Sequence, residues 1–403
     1  MRRLFAVRDA RIFLAGWSLS SFGDSAMFLV LGIWAKDLTG SNAAAGLVFF
    51  VLALPSFLAP IAGLWVDRLR RRPLLIGAYS VEGLAVLSLV FVHDRGDIWL
   101  LYAVAAVYGA CGTVAASARS ALMTVVLPRE LLGEANAIFQ TVREGLRLIS
   151  PLFGAGLYAA FGGAAVAVLD AGTFLAVIVA VLMMRTVEPR FERVEHHLLS
   201  EILAGARHIV HTRPLRQIIG AAAVALLVIG FAETLIFAVV DEGLHRPTSF
   251  LGVLEVAQGA GAIGGGLIAP RALRRLGDVW LCGIGLLAFA IGDAAFASSN
   301  LALVFVGFFI AGIGVAWVIV GFGTAVQLRT PGRLQGRVAS AAETLIAGPQ
   351  TLSIALGAVL VSVVDYRLLV VVMSTTVALC AVYLLTRGPE PVAVEEPEAA
   401  IAA

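Results

Sequence analysis

One lysine, Lys36, stands among 29 basic residues, and the chain has three cysteines and only 14% charged residues. Ordinary soluble domains carry about a quarter charged residues. A net charge of +2 on this composition says nothing about nucleic acid, and none is expected as a partner. Cys111, Cys282 and Cys380 all fall inside apolar stretches rather than in loops, so no disulfide framework is indicated. Four of the six histidines, His196, His197, His208 and His211, crowd one central segment. They lack cysteine partners and match no zinc spacing, so a solvated interfacial cluster is expected and no metal. There is no phosphate-binding loop, metalloprotease helix or nucleophile elbow. An ATP-driven pump and a membrane-embedded hydrolase therefore find no support, and neither catalysis nor a cofactor is expected.

What the chain has instead is apolar length, with 60% hydrophobic residues. Twelve stretches are each about long enough to cross a hydrocarbon core of about 30 Å, which takes about 20 residues in a helix. They run over 12–35, 43–66, 73–92, 98–127, 133–160, 163–184, 215–240, 248–270, 279–298, 301–328, 334–362 and 368–386. Spans in lipid must satisfy their own backbone hydrogen bonds. Continuous apolar runs of this length point to helices, because barrel strands alternate over about ten residues. The first stretch follows Arg2, Arg3, Arg8 and Arg11 but is too long for a signal-peptide core of about 7–15 residues, so it is read as a retained helix. Gly259, Gly261 and Gly264 match a dinucleotide fingerprint by letter, but they lie in the middle of a span, where small residues mean helix packing.

Orientation follows from the arginines, which concentrate in cytoplasmic loops. With the N-terminus inside, twenty-two of the 29 basic residues fall in inner segments and four, Lys36, Arg95, Arg246 and Arg367, in outer ones. Arg119, Arg143 and Arg147 lie within spans four and five. Both termini are expected in the cytoplasm of a bacterial plasma membrane. The arginine-for-lysine bias hints at a GC-rich genome.

The longest polar interruption separates spans six and seven, and the halves repeat. A shift of 203 positions brings Gly63 onto Gly266, Arg68 onto Arg271 and Arg72 onto Arg275. The same shift brings Gly109 onto Gly312, Pro128 onto Pro331 and Gly154 onto Gly357. The expected organisation is a six-helix bundle over 1–185, a central loop over 186–213, a second bundle over 214–387 and a disordered tail over 388–403 rich in Pro, Glu and Ala. Within the loop, Leu198, Leu199, Ile202, Ala206 and Ile209 recur at helical spacing and predict an amphipathic surface helix.

Two motifs carry mechanism. Between spans two and three stand Gly63, Asp67 and Arg68, then Arg70, Arg71 and Arg72, an acid able to accept from the arginines and from a neighbouring helix N-terminus. In span five, Ser150, Pro151, Gly154 and Ala155 form a small-residue stretch around a helix-bending proline, and the span-eleven equivalent of the proline is Ile354.

The loop resembles the signature of the major facilitator superfamily, with Arg70 where members usually have a second Gly. The span-five stretch is similar to the antiporter motif of drug exporters, with Ser150 and Ala155 replacing glycines. The strings "SFGDSAMFLV", "ASARSALMTVVLPRELLGEANAIFQTVREGLRLISP" and "LDAGTFLAVIVAVL" resemble the macrolide-efflux-like branch. The resemblance implies an all-α membrane protein of twelve transmembrane helices in two parallel six-helix repeats. It also implies a cytoplasmic gate at Gly63, Asp67, Arg68, Arg71 and Arg72, and a central cavity bordered by spans one, two, four, five, seven, eight, ten and eleven.

Charges within the spans cost about 2.5–3.5 kcal/mol each on insertion scales and ask for a reason. On cavity-lining spans the candidates for proton coupling or substrate contact are Asp24, Glu233, Glu255 and the span-five charges Arg143, Glu144 and Arg147. Structural pairing is the better expectation for Glu82 and Asp293, on peripheral spans. Glu343, six residues past Arg337, reads as a gate salt bridge or a structural charge, as does Arg119. The expected function is export of a small, fairly hydrophobic compound in exchange for protons, by a monomer in the lipid bilayer. A siderophore or metabolite exporter without strict coupling, and a non-transporting receptor or scaffold, are the alternatives.

Overall fold

The computed structural model describes residues 2–55, 69–186, 198–331 and 334–387, and all regular secondary structure among them is helical. The tail and residues 187–197 of the central loop lie outside the described residues, as do Gly63, Asp67 and Arg68. Span one is Arg8–Thr39, and span two is described over Asn42–Ala53. Spans three to six are Arg71–Leu87, Ile98–Val126, Arg129–Phe161 and Gly163–Met183. Span seven is Arg213–Ile229 continued by Ala232–Ala238 and a π-helical turn over Val239–Gly243. Spans eight and nine share one stretch, Leu251–Ala294, broken at Gly277, whose φ of 77° puts the chain into the left-handed region that glycine tolerates. Spans ten to twelve are Leu301–Leu328, Gln335–Leu360 and Tyr366–Leu385.

Among the described residues, nine helical stretches are long and apolar enough to cross a membrane. Nine becomes twelve for three physical reasons. The stretch Thr248–Ala297 contains both spans eight and nine. Span five carries Arg143, Glu144 and Arg147 in its middle, and span two is described only as far as residue 55. Exposed Leu84, Phe161, Leu267 and Val363 belong to the apolar surface expected against lipid.

Three apolar clusters organise the bundle. One lies within spans one to six, around Phe13, Leu31, Leu75, Leu101 and Phe174. Another lies within the second half, around Leu215, Cys282, Val338 and Leu384. A third crosses between the halves, joining Leu29, Ile33 and Phe49 to Phe237, Leu254 and Phe308. The repeat is visible in the packing. A Cβ at Gly109 in span four would strike the backbone carbonyl of Leu52 in span two, and one at Gly312 in span ten that of Gln258 in span eight. Each half uses a glycine at the same place in the repeat to bring two helices into backbone contact. Gly261 meets the carbonyl of Phe309 in the same way, so packing accounts for that glycine, whereas Gly264 of the same run has nothing within 4 Å of a Cβ.

The central-loop helix forms over Leu198–His211 and lies against the start of span eleven, where Gly205 abuts the backbone of Arg337. His208 Nε2 lies 3.1 Å from the carbonyl of Arg329 and 3.3 Å from Thr212 Oγ1, so this histidine is engaged with span ten rather than solvated.

Candidate functional site

The two halves close on each other at the end far from the termini. Lys36, in the last turn of span one, donates from Nζ to Asp241 Oδ2 at 2.6 Å. Asn42 Nδ2 donates to Glu242 Oε1 at 2.8 Å, and Thr248 Oγ1 to Asp37 Oδ1 at 3.1 Å. Tyr158 holds the other oxygen of Asp37 at 3.0 Å. The π turn of span seven supplies two of the seam's three acids, Asp241 and Glu242; such widened turns recur at functional sites. Beneath the polar layer lies an aromatic one, in which Phe49 stacks on Phe237 of the other half with centroids 5.9 Å apart. Phe28 packs on Phe49 at 4.8 Å.

Span five builds the seam's flank. The close approach of Gly154 to Ala26, whose carbonyl lies 2.7 Å from where a Cβ would stand, seats span five on span one. Ala155 meets Gly252 of span eight across the halves, with the neighbouring position Leu152 also against that glycine. The stretch Ser150, Pro151, Gly154, Ala155 therefore stands where both halves touch. Ser150 is fully buried and its hydroxyl finds no partner among the described residues. The proline of span eleven, Pro349, falls five positions before Ile354.

Asp24 is one helical turn before Phe28 on the same face of span one, which places it just on the termini side of the seam. It is half-buried, as are Glu233 and Glu255. Arg147 is exposed, yet it is the cation within electrostatic reach of both Glu233 and Glu255 on the opposite half. An exposed arginine that faces acids across the seam faces the space between the halves, not lipid. Arg143, also exposed, lies within reach of Arg119. The side chain of Glu144 lies outside those described.

Behind Asp24 the first half contains a polar cluster in spans one, three, four and six. The Tyr108 hydroxyl donates to Asp24 Oδ1 at 2.7 Å and stands 3.2 Å from Asp170 Oδ2. Asp170 is wholly buried. Glu82 is 2% exposed and within electrostatic reach of Asp24 and Asp170. Arg119 lies over the ring of Trp17 at 4.7 Å and of Phe139 at 5.6 Å, a cation–π seat that holds the guanidinium near the cluster without a direct ion pair to it. Glu82, on a peripheral span, thus belongs with Asp24 rather than with a remote structural partner. The pairing expected for Asp293 is not found: both carboxylate oxygens are buried without a hydrogen-bond partner among the described residues. Glu343 and Arg337 are both exposed.

At the termini-bearing end the described clasps stay within each half. Asp9 accepts from the backbone N–H groups of Arg185 and Thr186 at 2.8 and 2.7 Å, tying span one to the end of span six. Arg72 donates to the carbonyls of Val181 and Thr186 at 2.9 and 3.1 Å, a cation on the C-terminal end of span six. In the second half Arg329 makes a two-pronged bond to Asp278, at 2.6 and 2.8 Å.

Sequence reasoning did not single out Asp170, Tyr108, Asp37, Asp241, Glu242 or the Asp278–Arg329 pair. Asp170 is an intramembrane acid and so carried a signal; Lys36, as the lone lysine, carried another. Tyr108 carried none.

These features define a polytopic helical membrane protein of two six-span halves that meet in a closed seam over a charged space. The sequence matches the Major Facilitator Superfamily over residues 13–278 and 223–402, and the chain belongs to that family of transporters. It is 26% identical over 360 residues to the uncharacterized MFS-type transporter YfiS of Bacillus subtilis, covering 86% of this chain and 85% of that one. It is 27% identical over 334 residues to the multidrug efflux pump Tap of Mycolicibacterium fortuitum, covering 78% and 80%. In fold it is similar to a bacterial homologue of the iron transporter ferroportin in an inward-facing state, with a TM-score of 0.71 at 16% identity over 93% of this chain and 98% of that one.

Proposed function

We propose that this transporter exports a small, fairly hydrophobic compound across the plasma membrane in exchange for protons, with both termini cytoplasmic. On that orientation the structure is the state closed to the outside. The carrying observation is the half-buried Asp24, one turn beneath the aromatic layer of the seam, where a group can meet both water and cargo. A carboxyl there holds a proton or attracts a cationic substrate, not both at once, which is how one site exchanges two species. Proton entry supplies about 2.3 kcal/mol per 100 mV, more than tenfold accumulation per proton. Glu233, Glu255 and Arg147 supply complementary charge on the facing wall, and the small-residue stretch Ser150–Ala155 lets spans five, one and eight slide in close contact. The similarity to a multidrug efflux pump supports the export direction and the substrate class.

The test is ethidium uptake into everted membrane vesicles energised with a proton gradient. Concentrative uptake that a protonophore abolishes is expected, and Asp24→Asn should remove it while sparing downhill ethidium exchange. Wild-type pH dependence and concentration in Asp24→Asn would refute the coupling role. Uptake that survives the protonophore favours an uncoupled exporter of metabolites or siderophores, and binding without flux a receptor or scaffold.

A further inference from the structure

The hydrogen-bond count around Tyr108 carries more than the reading of Asp24 alone. A tyrosine hydroxyl has one proton to donate and lone pairs to accept with. Here it stands between two carboxyl groups, 2.7 Å from Asp24 Oδ1 and 3.2 Å from Asp170 Oδ2. It cannot donate to both. The shorter contact takes the proton to Asp24.

Asp170 then needs another donor. The candidate is Thr173, whose hydroxyl lies 2.7 Å from the Asp170 main-chain carbonyl and 3.2 Å from its carboxyl oxygen Oδ1. That single proton is committed to the nearer carbonyl. A wholly buried, ionised Asp170 would thus accept no full hydrogen bond, the situation that burial makes most costly. A protonated Asp170 resolves the count by donating from Oδ2 to the Tyr108 oxygen. The arrangement is built, not incidental: Gly23 is the residue that permits it, since a Cβ there would run into Asp170 Oδ1 and Thr173 Oγ1.

We propose that Asp170 is the proton-storing group of this transporter and that Tyr108 relays the proton between it and the cavity acid Asp24. The relay balances with two short movements. In one state Asp24 is a carboxylate, Tyr108 donates to it, and Asp170 donates to Tyr108. In the other, the Asp170 proton has moved to the Tyr108 oxygen as the Tyr108 proton moved to Asp24, so that Asp24 now carries the proton and donates to Tyr108, and Tyr108 donates to an ionised Asp170. One proton is held throughout, and no other bond changes. Asp24 thereby presents an anion to the cavity while the pair still holds its proton, which fits a cationic or basic cargo. The charged and titratable groups facing the pair are Glu82 and Tyr79 from span three and Arg119 from span four, with Cys111 of span four behind Glu82 and Arg143 of span five behind Arg119.

The inference rests on the antiport reading for its role, but its chemistry is measurable without any substrate. Infrared difference spectra of the purified protein in lipid, wild type minus variant at neutral pH, report the protonated carboxyl C=O stretch. Asp170→Asn should remove one such band, whereas Asp24→Asn and Glu82→Gln should leave it. Asp170→Glu, which keeps the acid and guards against loss of fold, should move that band, and Asp24→Glu should not. Tyr108→Phe should shift its frequency by removing the acceptor. Loss of the band in Asp24→Asn instead, or no loss in Asp170→Asn, overturns the proposal. A band that behaves as expected in a protein showing no proton-dependent ethidium flux upholds the storage site and refutes the antiport reading.

Discussion

Lys36 and Asp241 form the strongest single tie across the closed seam, and their environments are unequal. The Lys36 side chain is 10% exposed and that of Asp241 51%. Lys36→Met keeps the buried apolar stem and removes the charge, so it loses the bond without opening a cavity. A hydrogen bond between charged groups contributes about 1.5–3 kcal/mol, and an exposed ion pair about 0–1. With one partner half in water, about 1–1.5 kcal/mol of seam stability is expected to go. Since 1.4 kcal/mol is tenfold, the ratio of seam-closed to seam-open molecules should fall by about five- to tenfold.

Asp241→Asn should do more, because it leaves the lysine charge buried with no opposing charge, only neutral acceptors such as the Gly40 carbonyl 3.3 Å away. Stranding a buried charge costs more than removing the pair. The measurement is the distance distribution between spin labels at Arg95 and Val363, exposed positions of the two halves at the seam end, in a background lacking the three native cysteines. Broadening to longer distances in the order Asp241→Asn, then Lys36→Met, then wild type is the expected result. Identical distributions, or the reverse order, would show that the seam is held by the Phe49–Phe237 layer and that the ion pair contributes nothing.

The remaining expectations concern orientation and stability. Cysteines placed near Arg95 or Arg246 should react with an impermeant thiol reagent from outside intact cells and those near Arg70 or Arg274 should not; reaction of both sets from one side would sink the topology. Asp278→Asn should lower the thermal midpoint of the purified protein by the equivalent of about 3 kcal/mol, since it takes the opposing charge from the Arg329 guanidinium at 7% side-chain exposure. The double replacement Asp278→Leu/Arg329→Met should recover most of that loss, and a single variant as stable as wild type contradicts the assignment. Gly23→Ala should cost about 1–3 kcal/mol by forcing span one from Asp170 and Thr173. Gly172→Ala, facing open space on span six, should be neutral or stabilising because alanine is the better helix former; a loss as large as that of Gly23→Ala would mean that contact with Asp170 is not what is being read.

The sequence by itself determined the class, because lipid offers the backbone no partners. Apolar runs of about 20 residues have one stable outcome there, and among the described residues helices stand at each of the expected spans, span two over its first part. The repeat was also legible, since Gly109 and Gly312 answer a local demand for close backbone approach that recurs in each half. Among the candidate residues, Asp24 stood out because a charge within a span is costly enough to be noticed alone. Its partners did not. Tyr108 and Asp170 lie 84 and 62 positions along the chain from the groups they touch, and a tyrosine in a span raises no alarm. Glu82 was assigned away from the site because span three is peripheral, yet a helix behind the cavity wall still buries one face against it. The Lys36–Asp241 and Asn42–Glu242 contacts were equally invisible, because their partners stand 205 and 200 positions apart in the chain and meet only while the seam is shut. Chain composition settled which segments enter the membrane. Only the tertiary structure decided which charges meet, because hydrogen bonds reach about 3 Å and depend on rotation about each helix axis, which apolarity on all sides of a span leaves open.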